Sequence, residues 1–180
     1  FFAFIYIGPL VVELGDYFYA NGWIDQPPNV LNPINGAIVV GIMILPLIAS
    51  MSEDALRAVP NELREGSLAL GATKIETTFK VMIQASLSGI IASIILALSR
   101  AVGETMAVTL AVGTVAVFTS NMFLPAQTMT AYIAQRVGGD LPFGEIGYLT
   151  IFAVGLYLFI ITLTLNLIGN RVLAAYREAY

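Results

Sequence analysis

From Ile146 to Asn170 the chain carries no charged side chain, and Ile34–Ser52 is a second such run. A helix needs about 20 mostly apolar residues to cross the hydrocarbon core of a bilayer. A helix that is apolar around its whole circumference belongs in lipid or in a large protein core. A third segment, Val81–Val112, is apolar apart from Arg100 and Glu104. Backbone polar groups in lipid must be satisfied within their own segment, so uncharged runs of this length are read as helices. Composition agrees: 58% of the 180 residues are hydrophobic and 11% are charged, against about 25% charged in soluble domains.

The expected fold is therefore an all-α, polytopic transmembrane helical bundle forming one domain over residues 1–180. The opening "FFAFIYIGPLVV" (Phe1–Val12) reads as the end of a span whose beginning is missing. On that reading the sequence is the C-terminal part of a longer membrane protein, with one partial span and about three full ones. Pro46 inside the second span fits this, because transmembrane helices accommodate proline better than soluble helices do. As one straight helix, Val81–Val112 would be about 48 Å long, well beyond a hydrocarbon core of about 30 Å. It must tilt, bend or leave the membrane, and Ser99 and Gly103 are the expected bend points.

The chain has no Cys and no His. Disulfide frameworks, thiol nucleophiles, zinc clusters and histidine acid–base chemistry are excluded together. The net charge of −4 is spread thinly and provides no basic face for nucleic acid. The absence of an intramembrane acidic pair argues against a membrane-embedded enzyme.

Orientation follows from the loops, because Lys and Arg mark the cytoplasmic side. The 53–80 loop holds Arg57, Arg64, Lys74 and Lys80, and the tail holds Arg171 and Arg177. The opposite side holds Arg136 with Asp140 and Glu145, in an outer loop over 113–145 with a short helix in "PAQTMTAYIAQRVGGD". The 53–80 loop and the C-terminus are therefore expected in the cytoplasm. A rival topology counts Thr105–Phe123 as a separate span and moves the tail outside; the charge rule prefers the first. The aromatic residues of "DYFYANGWID" suit an interfacial belt, and Asn166 suits a polar contact between helices.

The loop "SEDALRAVPNELREGSLALGATKIETTFKVMI" predicts a helical elbow. Pro60 fits the first turn of a helix. Asn61–Leu70 then places Leu63, Ser67 and Leu70 on one face. Gly71 stands where a helix C-terminus needs positive φ. Thr73 caps a second helix that runs through Phe79 into the next span. Such an elbow is either a helical surface loop or a helix that docks into a groove on a partner.

Arg100 and Glu104 are spaced to share a helical face. An ion pair lowers the cost of burying both, but two leucines would avoid that cost altogether. Intramembrane ionisable residues therefore point to function. For entry near Val81, Arg100 lies roughly 28 Å along the helix, in the outer half of the bilayer. Its planar fork suits a phosphate-like oxyanion, and Thr105 offers a further hydroxyl.

"REGSLALGATKIETTFKVMIQASLSGI" resembles the EAA loop of ABC-importer permeases. Glu65 and Gly71 keep the motif's spacing, and Gly66 and Ser67 stand for its two alanines. Val81, Ile83 and Gln84 replace the closing Ile, Leu and Pro, so the proline is missing. Together with "SRAVGETMAV", the loop more specifically resembles phosphate ABC-transporter permeases of the PstC type, from about Ile34 to Val112. The resemblance implies a MetI-like, type I importer fold in the cell inner membrane that transports by alternating access. It implies that Glu65, Gly66, Ser67, Leu70 and Gly71 form the coupling helix, and that Arg100, Glu104 and Thr105 line the substrate pathway. It implies four kinds of partner: a dimeric cytoplasmic ATP-binding subunit, a second permease subunit, an extracytoplasmic phosphate-binding protein and membrane lipid. The chain has no GxxxxGK[ST] motif. No cofactor or metal is expected in it, and ATP with Mg belongs to the partner ATPase. The alternatives are a permease for another oxyanion, such as molybdate or sulfate, and a secondary transporter, against which the basic elbow argues.

Overall fold

The computed structural model describes residues 3–139, 142 and 144–175, all in helices and connecting segments. Two of the charges used above, Asp140 and Arg177, lie outside those residues. The helices are α1 (Gly8–Ala20, led in by a π-helical stretch Ala3–Ile7), α2 (Pro33–Arg57), α3 (Asn61–Ala69), α4 (Lys74–Thr77), α5 (Ile83–Val102), α6 (Met106–Val112), α7 (Met129–Val137) and α8 (Ile146–Ala175). A π-helical turn, Thr78–Met82, joins α4 to α5 without a break. Pro33–Arg57, Lys74–Val102 and Ile146–Ala174 are each long and apolar enough to cross a membrane.

The rival topology falls: Thr105–Phe123 does not form a span, because α6 ends at Val112 and Gly113 turns the chain with φ of +101°. A side chain at that φ meets its own backbone, so the position favours glycine. At the start of the chain, α1 runs on past Val12, where the partial span was read to end, as far as Ala20, and so carries Glu13 and Asp16.

The chain divides into two compact units. The first comprises Phe1–Met43 and Ala101–Ile161. Its packing is tight: a Cβ on Gly15 would come 2.6 Å from Pro28 Cβ and 2.7 Å from Phe123 Cδ1. A Cβ on Gly36 would overlap the Val112 side chain. Asn32 starts α2: its Oδ1 accepts from the Asn35 backbone N–H at 2.8 Å and its Nδ2 donates to Asn29 O at 2.6 Å. Pro33 follows at the first helical position, where its missing N–H is harmless. The backbone N–H of Asn32 donates to Ala111 O at 3.1 Å, tying α2 to α6.

The second unit comprises Ile44–Arg100 and Thr162–Tyr180. Its seam is built from small residues. Ser86, Ser93 and Ala97 of α5 are buried, and a Cβ on Gly89 would come 2.5 Å from Ala55 Cβ. Ser52 and Ser93 hydroxyls meet at 3.0 Å. Small residues let helix backbones approach where lipid provides no hydrophobic drive between helices. Asn166 of α8 accepts from the Ser99 hydroxyl at 2.9 Å, the interhelical contact expected of it. Elsewhere this part of α8 exposes Leu163, Leu165, Leu167 and Ile168, as a lipid-facing helix does.

Candidate functional site

The elbow is built almost entirely by local rules. Helix α3 begins after Pro60, which stands at the cap and not in the first turn, and ends after Ala69. Gly71 has φ of +87°, and its N–H donates to Leu68 O at 3.0 Å. Two residues on, Thr73 opens α4 with a reciprocal cap. Its hydroxyl accepts from the Glu76 N–H at 3.3 Å, and the Glu76 carboxylate accepts from the Thr73 N–H at 3.0 Å. Such a box satisfies two backbone donors that a helix start otherwise leaves open. Lys80 adds a 3.7 Å ion pair to Glu76 one turn along.

Sequence reasoning missed Thr77. It is 2% exposed, and its hydroxyl meets that of Ser67 at 3.0 Å, locking α3 against α4. The predicted face changes accordingly. Leu63 and Ser67 are half-buried, but Leu70, in the C-terminal cap, is 91% exposed. Ile75 and Phe79 are also exposed, at 72% and 66%. Glu65 and Gly66 are exposed on α3. The elbow therefore presents Glu65, Leu70, Ile75 and Phe79 outward while Ser67 and Thr77 hold its two arms.

Arg100 is exposed in the last turn of α5, where a cation complements the negative end of the helix dipole. The spacing to Glu104 predicted one shared helical face. Instead α5 stops at Val102, and the Glu104 N–H donates to Ala101 O at 3.1 Å within a turn. Of the two expected bend points, Gly103 is the bend, and Ser99 stays inside α5. Among the described residues, the ion pairs within 4.0 Å are Arg57–Glu53 and Lys80–Glu76, so Arg100 and Glu104 do not pair with each other.

Glu104 and Thr105 are half-buried. Their backbone is pinned from two directions. The Glu104 carbonyl accepts from the Thr130 hydroxyl of α7 at 2.8 Å. The Thr105 carbonyl accepts from the Thr109 hydroxyl at 2.6 Å. Thr130 is itself buried. No sequence signal announces it, since its partner is far away in the chain. A broken helix whose freed backbone groups are held by hydroxyls is one way membrane proteins accommodate irregular backbone.

Residues 1–177 match the family of binding-protein-dependent transport system inner membrane components. The chain belongs to that family. Family membership, with three helices long and apolar enough to cross a membrane, makes it a multi-pass membrane protein. Among similar proteins are two named as phosphate transport system permease protein PstC. The one from Mesorhizobium japonicum is 36% identical over 85% of this chain and 46% of its own length. The one from Haemophilus influenzae is 37% identical over 93% of this chain and 52% of its own length. A probable protein of the same name from Methanocaldococcus jannaschii is 38% identical over 81% and 45%. The chain thus spans about half the length of the curated relatives it matches. No solved structure matches it.

Proposed function

We propose that this chain is the membrane-spanning part of a permease subunit in an ATP-driven importer of inorganic phosphate. The observation that carries the proposal is the elbow: a rigidly capped, outward-facing helix pair in a family member whose relatives are named as phosphate permeases. A free helical loop has no need of a capping box, a positive-φ glycine and a buried hydroxyl bridge together. An elbow that receives force does.

In this reading Glu65, Gly66, Ser67, Leu70 and Gly71 dock into a cleft of a cytoplasmic ATP-binding dimer. ATP and Mg are bound and hydrolysed there. Leu70 and Ile75 supply the apolar contact. Closure of the ATPase pulls on α4 and passes through Thr78–Met82 into α5. A π-helical turn is a natural joint for this, because its wider hydrogen-bond ring is less favourable than that of the α-helix it interrupts. It ends two residues before Gln84, which stands where the family's motif has proline.

The basic loop and the C-terminus face the cytoplasm by the charge rule. The Gly103–Thr105 turn then lies toward the outer side. Arg100 provides a two-pronged donor for a phosphate oxyanion, and Glu104 and Thr105 line the same pathway. A second permease subunit completes the pathway, and an extracytoplasmic phosphate-binding protein delivers the cargo. A site that held phosphate tightly would impede its release, so a small number of donors is appropriate.

The test is reconstitution of the full complex with its binding protein in liposomes. ATP-driven uptake of phosphate, sulfate and molybdate is compared. Phosphate uptake well above the other two is expected. Preference for sulfate or molybdate would reassign the cargo, and uptake without ATP would make the chain part of a secondary transporter.

A further inference from the structure

A cleft of about 400 Å³ lies within the first unit, away from the Gly103–Thr105 turn's own residues, lined by Thr114, Gln127, Tyr132, Gln135 and Arg136 among others. Its polar lining is organised. The Gln127 Nε2 donates to Gln135 Oε1 at 2.6 Å, which leaves the Gln135 N–H groups to donate elsewhere. The guanidinium of Arg136 stacks 5.3 Å from the centre of the Tyr132 ring. The Tyr132 hydroxyl is held in turn by Thr150 at 2.8 Å.

Charge singles out this cleft. Arg136 is the sole Lys or Arg in Phe1–Met43 and Ala101–Ile161, against Glu13, Asp16, Asp25, Glu104, Asp140 and Glu145. Among the described residues no carboxylate pairs with it within 4.0 Å. An otherwise acidic unit therefore offers an anion one point of attraction, and that point opens onto a donor-lined cleft. Helix α7 carries both this cleft and Thr130, whose hydroxyl holds the Glu104 carbonyl.

We propose that the Arg136 cleft is an oxyanion subsite, distinct from Arg100, that takes a free tetrahedral anion such as phosphate on the outer side. Arg136 provides the charge and the two-pronged contact, and Gln135 and Thr114 provide neutral donors. At about 30 Å³ per water the cleft has room for the anion with part of its hydration shell, so binding is weak. The outer location rests on the transport reading above; the anion contact does not.

The test is arginine modification by phenylglyoxal on the assembled complex, read residue by residue by mass spectrometry. Inorganic phosphate is expected to slow labelling of Arg136 about threefold when present at about twice its Kd, with chloride at equal ionic strength having no such effect. Gln127→Leu, which keeps Arg136 but frees Gln135, is expected to weaken that protection. Equal protection by chloride, or none by phosphate, overturns the proposal. Protection by the binding protein alone also overturns it, by making Arg136 a docking residue for an acidic protein surface. Arg136→Gln is expected to lower phosphate uptake about tenfold, the equivalent of one charge-assisted contact, with Arg136→Lys restoring part of it; wild-type uptake by Arg136→Gln overturns the proposal. Failure of the wild-type complex to take up phosphate under ATP defeats the transport reading instead, and the labelling result stands apart from it.

Discussion

Substituting Gly71 tests whether the elbow transmits force or merely decorates a loop. Three local terms hold the elbow. The Thr73 cap contributes about 1 kcal/mol. The Ser67–Thr77 hydrogen bond contributes about 1 kcal/mol. The turn at Gly71 adds a backbone conformation that glycine adopts without strain. Gly71→Ala meets no neighbouring atom within 4 Å, so its cost is conformational alone. At φ of +87° that is about 1–2 kcal/mol. Gly71→Pro is worse: the ring fixes φ near −65° and removes the N–H that donates to Leu68 O. The lost bond adds about 1 kcal/mol to a conformation that proline cannot adopt at all. Its cost exceeds the roughly 2 kcal/mol that cap and bridge together contribute, so the two arms lose their fixed angle. The assay is the ratio of phosphate imported to ATP hydrolysed in liposomes holding the full complex. Thr77→Val is expected to lower the ratio slightly, Gly71→Ala more, and Gly71→Pro to near zero with the complex still assembled. A normal ratio in assembled Gly71→Pro would refute the reasoning, because it would mean that coupling does not pass through this turn.

Three further outcomes follow from the same geometry. Arg100→Gln is expected to abolish phosphate uptake while the complex still assembles, measured by uptake and by size-exclusion chromatography; wild-type uptake removes Arg100 from the pathway. Gly113→Ala, which has space for its Cβ but a φ of +101°, is expected to destabilise the first unit by about 1–2 kcal/mol, seen as a lower midpoint in thermal unfolding in detergent. A double-mutant cycle of Ser99→Ala with Asn166→Leu is expected to give a coupling of about 0.6 kcal/mol, typical of hydrogen bonds between membrane helices. Strict additivity would show that the hydrogen bond adds no stability.

What the sequence determined alone is whatever depends on neighbours in the chain. The three spans are legible because hydrocarbon solvent demands a continuous apolar run, and each residue of Ile146–Asn170 meets that demand separately. The elbow is legible because caps and turns are written in a few adjacent residues: Thr73 with Glu76, and Gly71 after Ala69. Gly103 was readable as a bend for the same reason. The readings that changed depended on where a helix stops. Leu70 leaves the packed face because α3 ends one residue earlier, and Glu104 leaves the face of Arg100 because α5 ends at Val102. Both stops lie beside a glycine that the sequence displays, Gly71 and Gly103; the polar contacts made around them it does not display.

Only the tertiary structure decided those contacts. Thr130 holds the Glu104 carbonyl, Asn166 accepts from Ser99, and Thr77 meets Ser67 across the elbow. A threonine or asparagine in a polar loop carries no mark of its partner, because a hydroxyl or amide bonds whatever acceptor the fold brings near. Periodicity shows which residues avoid water. Which polar groups then meet inside is a matter of packing, and here that packing brings Arg136, Gln127 and Gln135 to one cleft.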